Sequence, residues 1–344
     1  MTLHPLALVI ALVDTLSLTV CFSAAFRLFK LLPEWQPESS EKRQLKRERD
    51  LELSLYQGRF LFRLQAGGTL LVILAISNVW PRYVPGAMCG TGVLQAMGTA
   101  GGQALIYRAL VLFVLFCWWV LSQLDAHDPS APLTQLTGRV FLLSVPLLIM
   151  SMVTGYQALL TVAGQEPVSC CAVVYDRVYG LDGPGLINRL KPAAWMIICL
   201  LGALPAALWA AIQIKRPLFF SLGAYRVMGG YMILWVGVAM MALQIGFSAY
   251  IYEVLQHPCP WCLFLPEHGA VGFALYGSLA VIAAECTAGL IARAVVRNHA
   301  RLTIAACDRL RRAGLRLLVA TLCFVFLAAG PAFIWRIRFG LWLH

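Results

Sequence analysis

Residues Pro192 to Ile214, PAAWMIICLLGALPAALWAAIQI, contain no Asp, Glu, Lys or Arg. A run of this kind matches the roughly 20 apolar residues that a helix needs to cross a hydrocarbon core. Scanning outward in both directions finds seven more: Leu6 to Phe26, Leu61 to Trp80, Ala104 to Leu124, Val140 to Ala163, Val227 to Tyr252, Leu263 to Ile291 and Leu315 to Trp335. The runs are continuous rather than alternating. Because backbone groups in lipid must be satisfied within the structure itself, this pattern predicts helices and not barrel strands. Hydrophobic residues make up 60% of the 344 and charged residues 12%, and the mean hydropathy is +0.76. The expected fold is therefore all-α, a polytopic bundle of about eight transmembrane helices forming a single integral membrane domain over 1–344, with the lipid bilayer as its medium.

Lys and Arg collect in two stretches. Residues 28–60 carry Lys30, Lys42, Arg43, Lys46, Arg47, Arg49 and Arg59, and residues 292–314 carry Arg293, Arg297, Arg301, Arg309, Arg311 and Arg312. Both read as basic cytoplasmic loops, with Lys215 and Arg216 marking a third inner turn, so that counting spans between them puts both termini outside. The net charge of +11 is then a topology signal. A nucleic-acid partner is not expected, since the basic runs flank spans and lack interleaved aromatics. Within the first stretch, Pro33 to Leu53 mixes acidic and basic residues in the manner of a solvated helix or loop. Met1 to Leu6 carry no Lys or Arg, so the first span is expected to be retained rather than cleaved as a signal. The expected location is a bacterial inner membrane. Asp14 stands near the middle of the first span, where a charge is costly unless paired, and is a functional candidate on that ground.

Five of the eleven cysteines fall on the side opposite the basic loops. Cys89 lies between the second and third spans, Cys170 and Cys171 between the fourth and fifth, and Cys259 and Cys262 just before the seventh. The others, Cys21, Cys117, Cys199, Cys286 and Cys323 within spans and Cys307 in a basic loop, read as small packing residues or a reduced thiol. An oxidising outer face permits disulfides. An odd number of thiols leaves one over, which suits a relay by thiol–disulfide exchange; two loop-stapling disulfides plus a spare thiol is the alternative. Gly90, Gly92, Gly98, Gly101 and Gly102 let the loop around Cys89 turn tightly and approach another backbone. It lacks the Gly-Lys-Ser/Thr ending of a phosphate loop. This loop, 81–102, is expected to be tied to the loop 164–191 by a disulfide or by close packing.

Cys259-Pro260-Trp261-Cys262 is the main chemical motif. Its spacing brings two sulfurs close enough for a disulfide or a shared metal, and a helix expected from about Leu263, with Pro266 and Glu267 in its first turn, would favour thiolate over thiol. On that placement Cys262 is expected to carry the lower pKa, and Cys259, farther into the aqueous loop, to exchange with Cys170 or Cys171. His257 and His268 flank the pair as candidates for stabilising a thiolate, moving a proton or holding a metal. Trp261 is a candidate stacking surface for a flat ligand, and also suits the interfacial aromatic belt. Leu263 follows Cys262, so there is no c-type haem attachment motif. Gly269, Gly272 and Gly277 predict close packing along the seventh helix.

Cys259-Pro260-Trp261-Cys262-Leu263 resembles the Cys-Pro-x-Cys-Leu redox centre of the vitamin K epoxide reductase family and, more loosely, the centre of the bacterial quinone-linked disulfide oxidase. The resemblance implies a four-helix redox core over 140–291. It gives Cys259 and Cys262 the role next to a quinone and Cys170 and Cys171 the shuttle role, fed by a soluble or tethered dithiol protein on the outer face. The family's loop cysteines are separated by several residues, whereas Cys170 and Cys171 are adjacent, and Cys89 with four flanking helices has no counterpart there. Adjacent cysteines join only in a strained ring, so bridging elsewhere, to Cys89 for one, is the other option. Two functions remain in view. One is a membrane thiol–disulfide oxidoreductase that relays electrons among Cys89, Cys170, Cys171, Cys259 and Cys262 to a quinone. The other is a metal transporter or cofactor-assembly protein in which the thiolates of Cys170, Cys171, Cys259 and Cys262 capture a soft metal ion.

Overall fold

A computed structural model describes residues 4–35, 42–162, 168, 190–254 and 257–343 of the chain. It is helical throughout, with no strand among the described residues. The α-helices are α1 (Pro5–Leu31), α2 (Lys42–Leu74), α3 (Gly90–Ala96), α4 (Gly98–Asp125), α5 (Thr134–Thr161), α6 (Pro192–Lys215), α7 (Leu222–Ala242), α8 (Ser248–Tyr252), α9 (Val271–Asn298) and α10 (Thr303–Phe339). Eight helical segments are long and apolar enough to cross a membrane, and they coincide with the eight expected spans. The chain is an integral membrane protein.

Three boundaries differ from the sequence reading. α2 begins at Lys42, so Lys46, Arg47 and Arg49 stand on a helix, one of the two forms expected for Pro33 to Leu53, and Arg59, read as part of a loop, stands on the same helix. Between α9 and α10 only residues 299–302 are left outside α-helix, which places Arg309, Arg311 and Arg312 on a helix too. These segments are rich in Lys, Arg, Glu, Gln and Leu, all good helix formers, and hydrogen bonding continues through them. The third difference matters for the site. α9 starts at Val271, not near Leu263, because Leu265 before Pro266 is held extended (φ −75, ψ 145) and Gly269 and Ala270 both take positive φ, 65 and 50.

The helices fall into two compact units. Unit 1 comprises Met1–Ala75, Leu94–Gln165 and Ala294–Ala306, and unit 2 comprises Ile76–Val93, Glu166–Arg293 and Cys307–His344. The stretch 140–291, read as a four-helix redox core, takes α5 from unit 1 and α6, α7 and α9 up to Ile291 from unit 2.

Unit 1 is built on α1, α2, α4 and α5. Its core includes Cys21, Leu28, Leu61, Leu115, Trp118, Phe141 and Leu148. Trp118 meets Phe141 edge to face at 5.4 Å. It also packs against Gly58, where a Cβ would lie 2.3 Å from the indole. Asp125 joins α4 to α5 by accepting from Leu133 N at 2.7 Å and Thr134 Oγ1 at 2.8 Å, satisfying one amide that the start of α5 leaves open and one hydroxyl.

In unit 2, Cys199, Ala203, Ala206 and Ala210 form a small-residue stripe on α6, which lets neighbouring helices approach closely. Trp235 of α7 fills the space beside Gly202 and donates its indole N–H to the Cys199 carbonyl at 2.9 Å. Gln213 donates to Leu310 O at 2.9 Å and accepts from Trp209 Nε1 at 3.0 Å. Glu285 of α9 is buried and receives Arg309 at 2.6 Å and Arg316 at 3.0 Å from α10. Removing one partner of a buried pair strands the other charge, at a cost of about 3–5 kcal/mol. Glu285→Leu should therefore lower the midpoint of thermal unfolding in detergent by that order. Arg316→Leu, at a side chain 48% exposed, should cost no more than about 1 kcal/mol; equal losses in the two variants would contradict this assignment.

Candidate functional site

Two segments of unit 2 build a thiol cluster. In the first, Cys89 precedes α3, and its carbonyl accepts from Gly92 N at 3.1 Å. In the second, α8 ends at Tyr252 with Glu253 in the left-handed region (φ 56), and the chain returns through His257 to a 3₁₀ turn over Pro260–Phe264. Tyr252 Oη donates to the Cys259 carbonyl at 2.6 Å, pinning the start of that turn. The two segments are joined by Asn78 Nδ2, which donates to Phe264 O at 3.2 Å. Gly90 completes the contact. A Cβ there would sit 2.7 Å from the Trp261 ring, so only glycine lets the indole lie against this backbone.

The result brings together sulfurs far apart in sequence. Cys89 Sγ lies 3.3 Å from Cys259 Sγ, and Thr91 Oγ1 also lies 3.3 Å from Cys259 Sγ. His257 Nε2 is 3.3 Å from Cys262 Sγ. The Sγ atoms of Cys89, Cys259 and Cys262 are all within 4.8 Å of one another, and their residues are 2%, 2% and 8% exposed. Hydrogen bonds donated by Cys262, then by Cys89, outweigh burial and hold the Cys259 thiol down to about 3. Cys262 is pushed up because its proton is shared with Cys259, with burial adding to the effect. Cys89 is raised chiefly for the same reason. The hydrogen bonds thus favour negative charge on Cys259 over Cys89 and Cys262.

This reverses the expectation that Cys262 carries the lower pKa and that Cys259 sits in an aqueous loop. The expected source was the dipole of a helix starting near Leu263, and α9 starts only at Val271. Gly272 instead packs against the Leu263 backbone, with a Cβ position 2.9 Å from Leu263 C.

Among the other predicted site residues, His257 joins the sulfurs and His268 does not. His268 packs on Tyr252 with ring centroids 4.6 Å apart, and burial lowers its pKa. It lines a cavity of about 290 Å³ with Tyr250, Glu253, Trp335 and Arg338, and no cysteine lines that cavity. Trp261 has one face against Gly90 and lies near Phe264, at 5.6 Å between centroids. Cys170 and Cys171 lie outside the described residues. Val168 is described, and its N–H donates to Pro85 O at 3.0 Å beside Gly86 (φ 78). The close packing expected between the loops 81–102 and 164–191 is present at this residue.

Sequence reasoning did not single out Thr91, Tyr252 or Asn78. Thr91 lay in view within Cys89-Gly90-Thr91-Gly92. Tyr252 and Asn78 stand at the ends of apolar spans, where a polar or aromatic residue is ordinary, and no local pattern marks them.

The charge on Cys259 has a measurable consequence. Its folded-state pKa lies below the ordinary 9.0, so the stabilisation due to its thiolate is complete above that value and is lost as pH falls through about 3. In the fully reduced protein, ultraviolet thiolate absorbance should persist well below the ordinary thiol range. Cys259→Ser should remove this signal, and Cys262→Ala, which deletes the main donor, should move its titration upward. A signal that survives in Cys259→Ser would place the charge elsewhere.

Compared with protein-family models, with curated proteins and with solved structures, the chain gives no match.

Proposed function

We propose that the protein is a membrane thiol–disulfide oxidoreductase in which Cys89, Cys259 and Cys262 form the exchange centre, passing electrons from a dithiol protein to a quinone. The observation that carries this reading is the 3.3 Å approach of Cys89 Sγ to Cys259 Sγ, with Cys262 close by. In thiol–disulfide exchange a thiolate attacks one sulfur of a disulfide; a new S–S bond forms as the old one breaks, and the displaced sulfur leaves as thiolate. Cys259 stands between two neighbours, so a bond from Cys259 to Cys262 is exchangeable for one from Cys259 to Cys89 by local attack. His257, on Cys262 Sγ, takes the Cys262 proton as that sulfur becomes nucleophilic.

The incoming dithiol gives up two electrons and two protons and leaves as a disulfide. Cys170 and Cys171, within a few residues of Val168, are the proposed shuttle from the outer face. The direction Lys and Arg impose on the spans supports an exoplasmic position for the whole cluster, with both termini on the same side, in a bacterial inner membrane. A quinone, when bound, supplies the two-electron acceptor; the Cys-Pro-Trp-Cys-Leu stretch supports that choice. Trp261, within the motif itself, is the proposed aromatic surface for holding it, and His268 belongs to the separate cavity.

A metal centre is the second reading, and a specific observation favours it. Three sulfurs with a fourth donor in His257 make a sulfur-rich set suited to zinc or copper. Differential alkylation with and without reductant, with metal analysis of the same sample, separates the two. The oxidoreductase reading expects a reversible disulfide involving Cys259 and no stoichiometric metal. Cys262→Ser should trap the bond between Cys89 and Cys259, and Cys259→Ser should abolish quinone reduction. Reduced thiols holding one equivalent of metal, lost in the same variants, would replace this reading with the metal one.

A further inference from the structure

Unit 1 contains a polar cluster that the thiol chemistry does not use. Arg108 Nη2 on α4 donates to Asp14 Oδ2 on α1 at 2.5 Å. Arg108 Nη1 has no hydrogen-bond partner, and neither have Ser17 Oγ on α1 or the two amide atoms of Gln65 on α2. Ser17 and Gln65 are 0% exposed, Arg108 3% and Asp14 5%.

These orphaned atoms stand close to one level of the bundle. Val13 lies beside Gly68, and Gln57 Nε2 reaches Ser23 Oγ, so α1 and α2 run antiparallel. Ser17 is one turn beyond Asp14. Gln65 is one turn before Gly68, which brings it level with Ser17. A Cβ at Gly68 would lie 2.9 Å from Val13 Cγ1 and 3.9 Å from Arg108 Nη1, so the glycine lets α1 close on α2 at the level of the guanidinium.

In lipid nothing outside the bundle can satisfy these groups. Together they offer donors (Arg108 Nη1, Gln65 Nε2), an acceptor (Gln65 Oε1) and a hydroxyl that is both. A metal ion would meet the guanidinium, and an anion would compete with Asp14 for it. Water, which takes about two to four polar partners of mixed kind, fits the set.

We propose that Asp14, Ser17, Gln65 and Arg108 form an intramembrane site that binds water and through it exchanges a proton at Asp14. Arg108 from α4 is the charge that faces Asp14; the buried positions of α2 and α5, among them Gln65, Gly68, Ser144 and Ser151, carry none.

The full-length protein in lipid nanodiscs provides the test. If the amide of Gln65 is truly unpartnered, Gln65→Leu relieves an unsatisfied group and raises the thermal midpoint. If water satisfies it, the same change breaks hydrogen bonds and lowers the midpoint. We expect a fall, and a smaller fall for Ser17→Ala, which serves in its place should Gln65→Leu not assemble. Infrared difference spectra between neutral and acid pH should show a carboxyl band that shifts in deuterium oxide and is missing in Asp14→Asn. A raised or unchanged midpoint, or the absence of any Asp14-dependent band, would overturn the proposal.

Discussion

A polar atom within a bilayer has no bulk water to fall back on, so each one must find its partner inside the protein. This constraint organises both units. In unit 2 the carboxylate of Glu285 is shared by two arginines of α10, and Gln213 spends its amide on Trp209 and the Leu310 carbonyl. Apolar residues on these helices face lipid as readily as they face one another, and give little direction to the packing. Small-residue stripes and a few polar contacts therefore decide which helix lies against which. Trp235 illustrates the combination: the indole needs both the space beside Gly202 and the Cys199 carbonyl.

The same constraint explains how much of the fold could be read in advance. Eight spans were legible because their length and continuity have a single physical solution in lipid. Their ends were less so. The mixed charges up to Leu53 left a helix and a loop both open, and charged residues that are good helix formers simply extend a helix past the apolar run. Asp14 was visible as a costly residue, while its partner Arg108 was hidden inside another span, 94 residues away. Pairing across a bundle is a property of three dimensions, and a single sequence carries no periodicity that encodes it.

For the thiol site the legible part was the motif and the illegible part was its surroundings. Cys259 and Cys262 announced themselves by spacing, and His257 by proximity. Cys89 was picked out as an outer thiol, but nothing local placed it against Cys259. The pKa assignment failed for a related reason. It rested on a helix dipole inferred from Pro266 and Glu267, whereas Pro266 and the left-handed pair Gly269 and Ala270 delay α9. With the dipole moved away, hydrogen bonds between neighbouring sulfurs became the larger influence.

Negative charge favoured on one of the three sulfurs bears directly on the proposed chemistry. A thiolate of very low pKa is abundant but a weak nucleophile, and it is a good leaving group in exchange. Cys259, the common member of both disulfides, therefore suits the sulfur released when the thiolate of an incoming dithiol attacks its partner, Cys89 or Cys262. Cys89 and Cys262, whose protons are retained, suit the attacking role only once a base has removed that proton. His257 stands beside Cys262, and Thr91 beside Cys259, so the two ends of the exchange are differently equipped. On the proposed reading this asymmetry sets an order: attack by Cys262 on Cys259 needs its proton to pass to His257 and expels Cys89, and the passage of the bond back toward Cys89 expels Cys262 as thiolate. A metal would use the same donors differently, since coordination asks all three sulfurs to surrender their protons together. The proton count on the reduced cluster is thus the physical quantity on which the two readings part.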